Sequence, residues 1–453
     1  MTTPEIRVTW LKPEERIEAE LQQLSEEGVD AAPIRRAWED LRRSQPVLAL
    51  LRPEAERLLD DCRNLWDESP AGRNSVDEPS DFEQIIRAVP RSLRAQRSNL
   101  APYPPDFLRE RIGGGWVGRM AGCLLGKPVE SVPREGIHAI LKSSGRWPLS
   151  DYFTAKGVPD EVLARYPFNR TARLTSLKEN IVCMPEDDDT NYTMLSLYIF
   201  ESAGAGFTTG DVATAWLRTM PALRVFTAER VAYHNLLSLK QPPETAEFHN
   251  PYREWIGAQI RADLWGWVAP ANPVRASEYA WRDARLSHVK NGIYGEMYVA
   301  AMISHAFATD DLDRIIDAGV SVVPASSRLA ETIQFVRELA GRVDDYEEAV
   351  DQIYERYSNY HWVHTLNNAA IVTAALLFGH GDFERSICHA VQGGFDTDCN
   401  GATVGSIVGT LLGRQAIPEK WAAPLKNRVR SSLAGFDNTS IDELISRTVR
   451  CVH

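Results

Sequence analysis

The chain has 453 residues, 44% hydrophobic and 9% aromatic, enough apolar material for a sizeable core and, by length alone, about two or three domains. Lys and Arg number 50 against 62 Asp and Glu, a formal charge of −12 that argues against a duplex-binding surface spread over the whole fold and leaves room only for a local basic pocket. No stretch reaches the roughly 18 to 20 apolar residues of a membrane span, no apolar run follows a basic region at Met1-Thr-Thr-Pro-Glu-Ile-Arg7, and Cys62, Cys123, Cys183, Cys388, Cys399 and Cys451 lack the Cys-x-x-Cys spacing of a zinc ribbon or a disulfide framework, so a reducing cytoplasm is the expected location.

Residues 1–105 read as a helical accessory region and linker, rich in Arg, Glu, Leu and Gln, with helical spacing over Pro13–Glu27 and Ile34–Arg43. The segment Glu68–Ser80 is rich in turn residues, and Asn99-Leu-Ala-Pro-Tyr-Pro-Pro-Asp106 stiffens the chain at an expected boundary near Pro105. Residues 106–453 form the expected main domain. Their apolar stretches recur at three and four, as over Thr190–Ala203, Tyr294–Phe307 and Asn367–Phe378, so an all-α fold is expected. Without a βαβ rhythm or a glycine fingerprint after a strand, a dinucleotide-binding sheet is not expected.

Two segments carry glycine every fourth residue: Gly114, Gly118, Gly122 and Gly126, then Gly401, Gly405, Gly409 and Gly413. A glycine inside a helix costs about 1 kcal/mol relative to alanine, so four in register imply close approach of another backbone. A membrane reading fails, because Ala402–Leu412 is too short to span and the first stripe is interrupted by Arg119 and ends in Lys127-Pro128.

Acidic residues cluster at two places, each just before an apolar helix. Pro185-Glu-Asp-Asp-Asp-Thr190 holds four acids in a row, more than helix capping and the helix dipole require, so the cluster suits either a hard cation held by oxygen ligands or a solvated acidic loop. Gly393-Gly-Phe-Asp-Thr-Asp-Cys-Asn-Gly401 places Asp396 and Asp398 two residues apart, able to reach one side of a turning segment. A calcium loop counted from Asp396 has oxygen ligands at positions one, three and five and Gly401 at six, but Ile407 stands where the bidentate acid belongs. Gly122-Cys-Leu-Leu-Gly-Lys-Pro-Val-Glu130 ends the first glycine segment and delivers Glu130 just beyond it.

These three motifs, in this order, resemble the ADP-ribosylglycohydrolase family over roughly residues 106–440, with an Asp-Thr-Asp-Cys-Asn variant of the second metal motif. The resemblance implies a multi-helix orthogonal bundle, here with a helical N-terminal extension, that holds two divalent cations, Mg2+ or Mn2+. Asp188, Asp189 and Thr190 match one family signature, and Asp187 stands where Thr or Ser is common. Asp396 and Asp398 match metal ligands of the other, whereas Cys399 occupies a position where a hydroxyl commonly ligates; a thiol is a poor partner for magnesium, which puts one site in question. The implied metal shell is Asp187, Asp188, Asp189, Asp396 and Asp398. Glu130, Asp189 and Asp398 are the implied catalytic residues, Glu130 working as acid or base near the leaving group.

Weaker matches at Arg261 and at Ser287-His288, together with Gly394, Phe395 and Asn400, supply the expected substrate contacts. Trp265 and Trp267 either stack on a base or fill core, core being the better expectation, and His361, His364, His380 and His389 are expected to be ordinary polar or capping residues. The implied reaction is hydrolysis of a ribosyl glycosidic bond, releasing ADP-ribose from an ADP-ribosylated protein, with no nucleic-acid duplex or membrane as partner. Two alternatives stand beside it: a hydrolase of a small N-riboside or nucleotide metabolite, distinguished by the absence of a basic diphosphate site near Arg261, and a non-catalytic ADP-ribose-binding family member.

Overall fold

A computed structural model describes residues 8–89 and 103–452. Part of the stiff segment before Pro105 lies outside them. Among the described residues the chain is almost entirely helical, and its only sheet is the two-residue antiparallel pair Arg428–Val429 with Thr439–Ser440. The expected helices form with small shifts at their ends: Pro13–Glu26, Ala32–Ser44, Asp188–Ala203, Lys290–His305 and Thr365–Gly379. No described helix is long and apolar enough to cross a membrane.

The two glycine stripes face each other. The helix Pro105–Gly126 lies antiparallel to Thr397–Leu412, so that a β-carbon on Gly114, Gly118 or Gly122 would sit 2.0, 2.0 or 1.9 Å from the carbonyl oxygens of Gly409, Gly405 and Gly401. The contact is reciprocal: a β-carbon on Gly401 or Gly405 would meet the Gly122 or Gly118 carbonyl at 2.4 or 2.1 Å. The helix propensity lost at each glycine is offset by continuous backbone packing. At the end of the stripe the Thr397 hydroxyl donates to the Gly126 carbonyl at 3.0 Å. This register holds the segment after Gly126 against the start of the second glycine helix.

The N-terminal helices dock on the rest of the chain rather than standing apart. Ile17, Leu21, Trp38, Leu58, Leu59 and Trp66 share one apolar core with Ala246 and Val289. Buried charges complete the seam. Arg253 pairs with Glu20 at 2.8 Å and Glu27 at 2.7 Å, Lys290 reaches Glu27 at 2.5 Å, and Arg328 bridges Glu78 and Glu254 at 2.7 Å each. Trp265 and Trp267 are fully buried, their indole nitrogens donating to Glu296 and Thr410 at 2.9 Å, as core filling requires. His364 caps the helix Thr365–Gly379 by accepting from the Leu366 amide at 3.2 Å, and all six cysteines are free and buried.

Candidate functional site

Both acidic motifs become helix starts, and the glycine-helix register brings them together. Asp187 caps the helix Asp188–Ala203, its carboxylate accepting from the Asp189 amide at 2.9 Å, while Asp396 precedes Thr397–Leu412 and Asp398 lies in that helix's first turn. An exposed N-terminal dipole stabilises nearby carboxylates, which explains why both acid pairs sit there. The loop carrying Asp396 turns through Gly394 and Phe395, both with positive φ, and a β-carbon on Gly394 would lie 2.4 Å from the Tyr354 hydroxyl. Asn368 fixes the loop from below, accepting from the Asp396 amide at 3.1 Å and the Asn400 side chain at 2.8 Å.

The second face of the first glycine helix supplies the cations. Arg119, Cys123 and Lys127 recur every four residues beside the glycine stripe and line up against the first acidic motif. Arg119, fully buried, donates to the Asp189 carbonyl at 2.8 Å, the Asp189 carboxylate at 2.9 Å and Asp263 at 2.7 Å. The Cys123 sulfur lies within 4.8 Å of an Asp187 carboxylate oxygen, and the Lys127 ammonium forms an ion pair with the same carboxylate. The side chains of Cys123, Asp187, Asp189 and Asp398 bring ligand atoms within 4.8 Å of one another, and those of Asp396, Asp398 and Cys399 do the same, so Asp398 belongs to both groups.

Crowding shows in the acid–base behaviour. Burial and then the neighbouring carboxylates raise the pKa of Asp188, Asp396 and Asp398. Burial also raises Asp189, against the opposing pull of Arg119. Asp187 moves the other way: burial pushes its pKa up, but the Lys127 ammonium and the hydrogen bond from the Asp189 amide together bring it below the usual value. Glu130 follows the short turn Lys127–Val129, and the Asp398 charge, then burial, lifts its pKa to about 8. The Asn169 amide holds Glu130 in place with a 3.1 Å bond. Asp189 and Asp398 each keep one buried carboxylate oxygen without a hydrogen-bond partner. Lys127, Glu130, Asp188 and Phe395 are half-buried and form the solvent side of the cluster.

Four of the five acids expected as metal ligands, Asp187, Asp189, Asp396 and Asp398, therefore converge in the two groups, and Asp188 and Glu130 stand outside these groups but near enough to feel the Asp398 charge. The expected substrate contacts divide. Gly394, Phe395 and Asn400 lie on or beside the Asp396 loop, with Phe395 stacked on Tyr354 at 4.1 Å. Arg261 is fully buried and engaged by Asp283 at 3.0 Å, Glu229 at 3.1 Å and Ser287 at 3.1 Å, with Glu296 3.7 Å away, so no exposed donor remains there for a diphosphate. His288 hydrogen-bonds Ser287 at 2.8 Å and lines a cavity of about 790 Å³ with Arg73, Ser80 and Arg285, next to the N-terminal helices. Sequence reasoning missed Arg119, Cys123, Lys127, Asn169, Asp263 and Asn368. The four-residue repeat of Arg119, Cys123 and Lys127 within an otherwise small and apolar helix was the available signal.

A sequence model of the ADP-ribosylglycohydrolase family matches residues 104–450. An uncharacterised protein of Archaeoglobus fulgidus is 28% identical over 183 residues, which cover 39% of this chain and 55% of that protein, so the chain aligns with about half the length of this relative. A solved ADP-ribosylglycohydrolase-related protein complex aligns with a TM-score of 0.48 at 20% identity, covering 76% of this chain and 98% of the other.

Proposed function

The chain belongs to the ADP-ribosylglycohydrolase family of glycosidase hydrolases, and on that premise we propose that it is a metal-dependent glycohydrolase that releases ADP-ribose from an ADP-ribosylated substrate. The observation that carries this reading is charge. Six carboxylates (Glu130, Asp187, Asp188, Asp189, Asp396 and Asp398) face only Lys127 and an Arg119 that is shared with Asp263. Even with Glu130 protonated, the five aspartates leave at least three formal negative charges without an internal counterion, which two divalent cations would neutralise. The unpartnered oxygens of Asp189 and Asp398 suit the same role.

Asp187, Asp188, Asp189, Asp396 and Asp398 are the residues that would hold the cations. When bound, such ions supply Lewis acidity toward ribose oxygens and an attacking water. The protein's own share is electrostatic. As the bond at the anomeric carbon stretches, positive charge grows on the sugar ring, and fixed carboxylates on rigid helix starts stabilise it without reorganising. Glu130, held by Asn169 beside the aspartates, is the residue that would exchange a proton with the leaving atom as acid or base. Asp396→Asn is expected to lower ADP-ribose release by about two orders of magnitude or more while the helical circular-dichroism signal stays intact. Full activity in that variant removes the reading.

A second reading, hydrolysis of a small riboside without a diphosphate, is favoured by one observation: Arg261, the expected phosphate contact, is consumed by Asp283, Glu229 and Ser287. Turnover of a simple N-riboside at a kcat/KM above that for ADP-ribosylated peptides would select it.

A further inference from the structure

Two thiols lie inside the acidic cluster, one on each side. Cys123 comes from the first glycine helix, its sulfur within 4.8 Å of ligand atoms of Asp187, Asp189 and Asp398; Cys399 comes from the first turn of the second, its sulfur within 4.8 Å of those of Asp396 and Asp398. Each belongs to one of the two groups whose ligand atoms lie within 4.8 Å, and the groups share Asp398. The two thiols are thus distributed one per candidate cation position. Both are buried, Cys399 being 7% exposed and Cys123 fully enclosed, so neither is a surface thiol that happens to lie near acids. Asp189 and Asp398, nine-tenths or more buried, each leave a carboxylate oxygen without a partner in the same cluster.

Resting on the metal-dependent reading above, we propose that Cys123 and Cys399 are metal ligands, one sulfur to each position, and that the centre therefore selects a thiophilic divalent cation of the transition series over magnesium. Magnesium takes oxygen donors in a near-ideal octahedron and gains little from sulfur, whereas Mn2+, Fe2+, Co2+ and Zn2+ accept mixed carboxylate and thiolate sets with affinity rising across that series. Coordination forms an M–S bond as the S–H proton leaves to water, so no oxidant or reductant is needed. Lys127 fits the same scheme: its ammonium offsets part of the negative charge of the first group, in which Cys123 stands with Asp187, Asp189 and Asp398.

The test uses the full chain stripped of metal and titrated with Co2+, read by absorption and by elemental analysis of bound metal. Thiolate ligation produces an intense sulfur-to-cobalt charge-transfer band in the near ultraviolet that oxygen ligation lacks. The expected result is two Co2+ per chain with that band, about half the intensity in Cys123→Ser and in Cys399→Ser, no band in the double variant, and full intensity in Cys451→Ser as a control. Displacing the bound Co2+ should take at least about tenfold more Mg2+ than Mn2+. Stoichiometric Co2+ without the band in the unsubstituted protein overturns thiol ligation while leaving the glycohydrolase reading standing. No bound metal at all overturns both.

Discussion

Asp398 belongs to both ligand groups, burial and the Asp187 charge raise its pKa, and one of its oxygens has no partner. A carboxylate whose pKa is raised on folding disfavours the folded state near neutral pH, so removing its charge relieves the protein. Asp398→Asn is therefore expected to be more stable to unfolding than the unsubstituted chain in excess chelator, by about 1 to 2 kcal/mol, and to lose turnover almost completely. A lower melting temperature in chelator would contradict the idea that these charges await a cation. At this scale the acids were legible in the sequence because local spacing sets their positions, each pair being tied to a helix start. Arg119, Cys123 and Lys127 were equally regular, yet their role depends on which element faces that side of the helix. Arg261 was misleading for a related reason: its partners Glu229, Asp283 and Glu296 come from three separate helices, a pairing that no local pattern encodes.

Between elements, the paired glycine helices set the distance between the two acid clusters. A β-carbon on Gly118 would approach the Gly405 carbonyl to 2.0 Å, so Gly118→Ala must push the helices apart and is expected to cost about 3 kcal/mol or more. In Gly210→Ala, where the added carbon meets only Thr208 at an ordinary 3.5 Å, stability should hold or rise by up to about 1 kcal/mol. Chemical denaturation of the two variants checks the contrast. The stripes announced a close approach; that each is the other's partner, running antiparallel, follows only once the chain folds back. The N-terminal seam offers a pH test. Burial lifts the Glu26 pKa to about 7 although the His361 amide and Gln22 donate to it at 2.8 and 2.9 Å, with Glu254, Arg328 and His364 also facing it. The unfolded chain releases this proton near pH 4.5, the folded one near 7, so stability is fully present below about 4.5 and declines as pH rises through 7. Glu26→Gln should match the unsubstituted chain at pH 4 and exceed it by about 3 kcal/mol at pH 8, measured by unfolding at both values. Equal stabilities at pH 8 would show that Glu26 ionises normally.

For the whole molecule, the N-terminal helices and the body of the chain share a core and a set of buried ion pairs. Removing residues 1–105 takes away Glu20 and Glu27 from Arg253, Glu27 from Lys290 and Glu78 from Arg328, and uncovers Ala246 and Val289. Arg328 keeps Glu254, but Arg253 and Lys290 lose their carboxylates, and each buried cation left unpaired costs about 3 to 5 kcal/mol, a large share of a typical folding free energy, so the shortened chain is expected to be insoluble on expression. A soluble, cooperatively melting product would show that the body folds alone. The helical class and the approximate helix ends were legible from apolar periodicity, whereas this docking was not, since charged residues such as Glu20 and Glu27 read as solvent-facing until Arg253 and Lys290 are brought against them. The most direct measurement is release of free ADP-ribose by the full chain from ADP-ribosylated arginine and serine peptides, with added magnesium, with added manganese and in excess chelator. The acidic centre requires release that rises with a divalent cation and vanishes in chelator. Undiminished release in chelator, retained by Asp398→Asn, would contradict a metal centre at these aspartates.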